Sequence, residues 1–261
     1  MTDLFRAALN RTSMLDIPLS NLWLLPLGLL IGAFGTLIGA GGGFVLVPIL
    51  LILYPNDNTE LITSISLAVV FFNALSGSVA YARMKRVDYK SGVMFAIATI
   101  PGAILGAVLV SYVPRYAFDI TFGVIMIAAG IFLWLTAKDD HSRAQAHTNQ
   151  LANGHTPARW SVRELIDADG TRHHYAYNPV IGIVLSVFVG FISSLLGVGG
   201  GFIHVPALTG LLHFPVHVAT ATSHFVLAIM ALTGTLVHIA TGTFAHGVRK
   251  TAILAVGVVL G

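Results

Sequence analysis

Two stretches of this 261-residue chain carry the same unusual run: residues 37–48 read LIGAGGGFVLVP and residues 195–206 read LLGVGGGFIHVP. Glycine is a poor helix former and proline lacks the N–H that a helix interior needs. Gly41, Gly42 and Gly43, like Gly199, Gly200 and Gly201, therefore predict a broken apolar helix. Such a break exposes backbone N–H groups at the start of a half-helix, an end that carries roughly half a positive charge and binds anions. The competing use of these glycines is close helix packing, and Gly35/Gly39 and Gly102/Gly106 have the GxxxG spacing that permits it. A dinucleotide site is disfavoured: Phe44 and Phe202 stand at the last glycine position of GxGxxG, and no βαβ pattern surrounds them.

A second group supplies hydroxyls and amides. Ser66, Asn73 and Ser76 fall near one helical face, at spacings of seven and three, and Thr222 and Ser223 lie in the corresponding part of the second half. They can donate to the oxygens of an anion, or serve as interhelical hydrogen bonds worth about 0.6 kcal/mol each. Histidines form the third group: His204, His224 and His238 stand where the first half has Leu46, Leu67 and Tyr81. An ionisable group inside a span is a functional candidate, and imidazole exchanges a proton near neutral pH, so these three are proton-coupling candidates. His224 and His238 are fourteen residues apart, close to four turns, which predicts that both face one pathway. The bland alternative is a neutral histidine bonded to a neighbouring helix. His213 and His217 have a metal-like spacing, but Pro215 separates them and no HExxH glutamate follows; no metal or other cofactor is expected. His141, His147, His155, His173 and His174 read as solvated loop residues.

The elements that position these groups are apolar. Hydrophobic residues make up 56% of the chain and charged ones 10%, and residues 17–56, 61–82, 91–114, 120–137 and 173–248 contain no charge. Runs of about 18 or more such residues are membrane spans. The first run is twice the length of one span, and its glycines and Pro48 predict a helix over 22–38, a break, and a shorter segment to Tyr54. Spans follow over 61–82, 91–112 and 116–137. Residues 138–178, with five basic and five acidic residues, read as a solvated loop, after which apolar sequence resumes with hinges near Gly199, Pro215 and His246. No cysteine is present, which excludes disulfides, thiolate metal sites and cysteine nucleophiles.

If each span crosses once from a cytoplasmic N-terminus, basic residues at 6, 11, 83, 85, 86, 90, 138, 143, 159, 163, 172, 249 and 250 fall inside and only Arg115 outside. That count favours four crossings before the central loop and places the loop in the cytoplasm. The glycine match continues: Thr63, Ser66, Val69, Ala74, Leu75 and Gly77 align with Thr220, Ser223, Val226, Ala231, Leu232 and Gly234. The expected fold is thus an all-α polytopic membrane protein of two parallel four-span repeats with glycine-broken helices, related by an axis near the membrane normal. The units are 1–137, the loop 138–178, and 179–261. Because GVVLG at 257–261 corresponds to GAILG at 102–106, the second repeat is expected to be incomplete at the C-terminus.

The paired glycine segments, the Thr/Ser-rich starts TSISL (63–67) and TATSH (220–224), and GAILG together resemble the sulfite exporter TauE/SafE family of membrane permeases. The resemblance covers both halves apart from the tail and central loop. It implies a non-enzymatic inner-membrane transporter for a small anion, with sulfite, sulfonates and related sulfur anions suggested as substrates. The long polar loop, the shortened end and His224 at the place of Leu67 depart from the pattern. Expected partners are the anion and the lipid bilayer, with no nucleic acid and with a homo-oligomer left open. Two other classes stay open: a histidine-dependent membrane metal or haem protein, and a non-transporting membrane scaffold.

Overall fold

A computed structural model describes residues 22–137 and 160–261, apart from the side chains of 135–137. Among the described residues, nine α-helices follow one another: α1 (Leu24–Ile38), α2 (Gly43–Leu53), α3 (Thr59–Arg83), α4 (Tyr89–Leu109), α5 (Arg115–Ala137), α6 (Pro179–Leu196), α7 (Gly201–Gly210), α8 (Val216–Ala240) and α9 (Val248–Leu260). Short 3-10 turns lie at Val110–Tyr112 and Thr243–His246. Helices α3, α4, α5, α6 and α8 are long and apolar enough to cross a membrane. Capping residues mark the starts of three of them. Asn58, Asp88 and Asn178 each accept a hydrogen bond from an N–H in the first turn of α3, α4 and α6.

The bundle is apolar outside, and its largely apolar interior also holds a set of polar side chains. Leu30, Phe34, Ile97, Leu105, Ile127 and Trp134 are exposed, whereas Thr63, Ser64, Ser66, Asn73, Thr222, Ser223 and His224 are buried. This distribution suits a lipid surround.

The first apolar run does not cross once. Gly39 ends α1 in the left-handed conformation, and Gly41 and Gly42 are left-handed as well. The chain therefore turns back, bringing Gly42 against Ile31 and Gly35 of α1. Helix α2 returns to the end from which α1 starts. In the second half α6 ends at left-handed Gly197, Gly199 is left-handed, and α7 folds back in the same way.

The contacts between the matched helices α3 and α8 run opposite to the direction that parallel repeats would give. The ring of His224 sits on Gly77, and Leu67 sits on Gly234. His238, near the end of α8, lies 3.7 Å from Glu60 at the start of α3. Helices α3 and α8 are thus antiparallel. Conversely, Gly102 and Gly106 of α4 meet Val187 and Phe191 of α6, and Gly28 and Gly32 of α1 meet Leu254 and Val258 of α9, both in parallel register. Gly102/Gly106 is a packing pair as its spacing predicts, whereas Gly35 faces Asn73 and Gly42.

Lys250 also lies at the end opposite to the one expected from charge counting. Its Nζ is 2.7 Å from Asp57, whose carbonyl accepts from Arg115 at 2.9 Å. The start of α1 shares that end, while Met84 to Asp88 lie at the other. Three crossings, α3 to α5, separate the α1/α2 hairpin from the central segment. The charge count misassigned these ends because it treated a reversing hairpin as one crossing.

The described part of the central segment is not a bare loop. Strands β1 (Ser161–Ile166) and β2 (Arg172–Tyr177) form an antiparallel hairpin, an exception to the all-α expectation. Tyr175 and Tyr177 are buried, and their rings pack on Phe214 at 4.6 and 5.0 Å. His141, His147 and His155 lie outside the described residues.

Candidate functional site

The two glycine segments pass one another in opposite directions at the centre of the bundle. Gly39 and Ala40 lie against Gly201, Gly43 against Val198, and Gly41 and Gly199 both against Val70 and Leu227. Positive φ values of 76°, 79° and 74° at Gly41, Gly42 and Gly199 favour glycine over any L side chain. Gly43, Gly200 and Gly201 are constrained by space instead. A Cβ at Gly200 would stand 2.5 Å from Val189 Cγ1, and one at Gly43 or Gly201 would collide with the carbonyl of Val198 or Gly39. The start of each half-helix therefore faces the carbonyl end of the opposite hairpin. That contact offsets part of the positive helix end expected to attract an anion.

The polar candidates separate into paired and unpaired groups. Ser66 donates to the Gly197 carbonyl at 2.6 Å, and Thr222 Oγ1 accepts the Asp88 N–H at 3.1 Å. Ser76 is half-buried. By contrast Asn73 Nδ2 and Ser223 Oγ are buried without a hydrogen-bond partner, as are Thr63, Ser193 and Ser194. Buried unpartnered donors each cost about 1–3 kcal/mol, so a group of them is unusual and suits a ligand.

The histidines occupy three different settings. His224 and Asn73 belong to a cluster with Thr36, Gly77 and Tyr81: Thr36 Oγ1 donates to Asn73 Oδ1 at 2.9 Å, and Tyr81 OH donates to the Thr36 carbonyl at 3.0 Å. His238 lies at the other end of α3 beside Glu60, which also accepts from Thr243 at 2.7 Å. His204 is buried against Phe95, with both ring nitrogens unpartnered. One face of α8 thus presents His224 and His238 to opposite ends of α3. Among the described residues, no group of three or more His, Cys, Asp or Glu could hold a metal ion.

Several participants carried no signal in residue type alone. Tyr81, Thr36 and Glu60 are such residues, although Tyr81 could have been found as the counterpart of His238. The largest omission is the Asp88 network. Its carboxylate accepts from Ser91 N–H at 3.2 Å, from the Ser91 hydroxyl and from Tyr175 OH at 2.7 Å, and Arg163 Nε is 3.7 Å away. Burial, reinforced by the Asp88 charge, pushes the Tyr175 phenol well above its usual range. Nearby, Arg86 pairs with Asp169 at 2.9 Å and Asp167 at 3.5 Å. Burial would raise the Asp167 carboxyl, but the backbone N–H groups of Thr171 and Asp169, with His173 and Arg86, hold it below its usual value. These contacts fasten the β-hairpin to the end of the bundle formed by the α3–α4 turn.

A family model described as Sulfite exporter TauE/SafE matches residues 24–261. The chain is similar to the "Probable membrane transporter protein YunE" of Bacillus subtilis (strain 168), at 35% identity over 225 residues, covering 84% of this chain and 78% of the relative. It is also similar to a "Probable membrane transporter protein" of Methanocaldococcus jannaschii, at 26% identity over 231 residues, covering 85% and 75%. A third, of the same description, from Xylella fastidiosa (strain Temecula1), is 26% identical over 209 residues, covering 80% and 70%. No solved structure gives a significant match.

Proposed function

The chain belongs to the sulfite exporter TauE/SafE family, and from that premise we propose that it is a secondary transporter of the inner membrane. Its cargo is a small anion: sulfite, a sulfonate or a related sulfur oxyanion. One observation carries the proposal. Two glycine-broken hairpins enter the bundle from opposite ends and cross beside buried, unpaired amide, hydroxyl and imidazole groups. Discontinuous helices meeting at the centre of an inverted pair of repeats are how many secondary transporters build a midplane site.

The proposed site draws on Gly41, Gly42, Gly43, Ser66, Asn73, Ser76, Gly199, Gly200, Gly201, Thr222 and Ser223. Within it the glycines shape the crossing, Ser66 and Thr222 hold the framework, and Asn73 and Ser223 touch the anion. The repeats, 1–137 and 179–261, then lie inverted about an axis in the membrane plane. Arg83, Lys85, Arg86, Lys90, Arg163 and Arg172 outnumber Arg115, Arg249 and Lys250 at the other end, a bias that supports a cytoplasmic 138–178 segment.

The deciding experiment is flux of labelled sulfite and of a short sulfonate through vesicles holding the purified chain. Saturable flux that vesicles without protein lack supports the reading. Absence of flux for both anions, in protein shown to be folded and inserted, rejects it.

A further inference from the structure

His224 is fully buried, and its ring is held on three sides. Nδ1 lies 3.3 Å from the Thr220 carbonyl oxygen one turn earlier in α8, Tyr81 meets the ring edge with centroids 5.3 Å apart, and Gly77 lies directly beneath. A carbonyl oxygen can only accept, so Nδ1 carries the proton of the neutral ring. Nε2 is left as a lone pair, and it has no partner. One turn along α3 from Gly77, Asn73 commits Oδ1 to Thr36 and leaves Nδ2 as a donor, also without a partner. Thr36 touches both sites, its hydroxyl on Asn73 and its methyl 3.4 Å from where a Gly77 Cβ would lie.

We propose that Asn73 and His224 form a station that takes an oxyanion together with one proton. The inference rests on the anion-transport reading above. An acceptor nitrogen repels the oxygen of a fully ionised anion. A proton between them changes the sign: Nε2–H donates to one anion oxygen in a charge-assisted hydrogen bond, while Asn73 Nδ2 donates to another. The anion of a strong acid brings no proton, so the imidazole takes one from solvent as that anion binds. An anion that retains an acidic O–H supplies the proton itself, donating to the Nε2 lone pair. In both cases one anion and one proton occupy the station and leave it together. The other half has Leu67 against Gly234 and Met230 at the place of Asn73, so the repeat does not duplicate the pair.

The titratable and charged groups around His224 are few. Helix α3 presents Tyr81, with Arg86 beyond it. The start of α4 presents Asp88 to Thr222 and Tyr89 to Phe225, and α7 contributes His204, turned toward Phe95. Helix α1 contributes the hydroxyl of Thr36, and α6 contains no titratable residue.

The test is calorimetric titration of the purified full chain with methanesulfonate, a permanently ionised probe, in two buffers of different protonation enthalpy. Above about pH 7, where a free imidazole is neutral, one proton should be taken up per anion bound, and Kd should weaken about tenfold per pH unit. His224→Leu copies the residue that the other half carries, and it should take up no proton and show less than a twofold change in Kd over the same range. Proton uptake that persists in His224→Leu overturns the station. So does methanesulfonate binding to the unaltered chain without proton uptake, which leaves the anion reading intact and decides the matter whether or not the variant folds. Binding of neither methanesulfonate nor sulfite overturns both.

Discussion

Gly43 lies against the carbonyl oxygen of Val198, and Gly201, its counterpart in the repeated sequence, lies against that of Gly39. Neither approach leaves room for a methyl group, and the obstructing atoms are backbone. Gly43→Ala or Gly201→Ala should cost about 1–3 kcal/mol, the usual penalty of overpacking a close contact. Gly123→Ala, where a Cβ would meet nothing within 4 Å, should be neutral or slightly stabilising. Thermal unfolding of the three purified variants checks this, and equal melting temperatures would remove the close crossing.

The antiparallel relation of α3 and α8 predicts a cross-link that a parallel repeat forbids. Lys250 stands 2.7 Å from Asp57 and 3.5 Å over the Tyr54 ring. Because the chain lacks cysteine, Asp57→Cys with Lys250→Cys gives a pair free of background. Oxidation should join them rapidly, whereas Lys85→Cys with Lys250→Cys should stay unjoined. Gel mobility after protease cleavage in the central segment reads the result.

Ser66 and Ser223 are counterparts, one hydrogen-bonded and the other not. Ser66→Ala removes a 2.6 Å hydrogen bond to Gly197 and should cost about 1 kcal/mol of stability. Ser223 Oγ bonds to nothing, so Ser223→Ala should leave the melting temperature unchanged or raise it. If Ser223 touches the anion, the same change should raise KM for transport several-fold. The split between melting and KM separates the two roles.

The Asp167 carboxyl sits below its usual value of 3.8 despite burial, because Thr171, Asp169, His173 and Arg86 favour its charged form. A depressed carboxyl contributes its stability above the unfolded value and loses it as the pH falls through the folded one. Protection of the Thr171 and Asp169 amides against hydrogen exchange, corrected for intrinsic rates, should hold at pH 5 and above. It should fall progressively below about pH 4, where an ordinary carboxylate begins to titrate. Asp167→Asn should flatten that dependence.

The spans were legible because composition alone marks them: no charge enters 61–82, 91–114 or 120–137, and caps such as Asn58 and Asn178 stand beside these runs. The glycine breaks were legible for the same reason, since few residues other than Gly tolerate the backbone at Gly39, Gly41 and Gly197. Direction was not. A repeated sequence records that two units are alike and not how they are turned. A left-handed glycine that reverses the chain has the same letter as one that packs a straight helix. The site was half legible. Asn73 and His224 drew attention by type, but Tyr81, Thr36 and Asp88 matter through contacts across 37 to 134 positions of sequence. The β-hairpin was missed because its burial depends on Tyr175 and Tyr177 meeting Phe214, within a segment whose composition is polar.

The antiparallel setting of α3 and α8 also bears on energetics. Were the two halves identical, any conformer gaping at one end would have a partner of equal free energy gaping at the other. Each would be half-occupied at rest. The substitutions between halves break that degeneracy: Leu67 for His224, Asn73 for Met230, Tyr81 for His238. A bias of only about 1.4 kcal/mol from these three places would leave one conformer tenfold in excess. Which end of the molecule would wait open for cargo is thus set by the positions at which the two halves differ, these three among them.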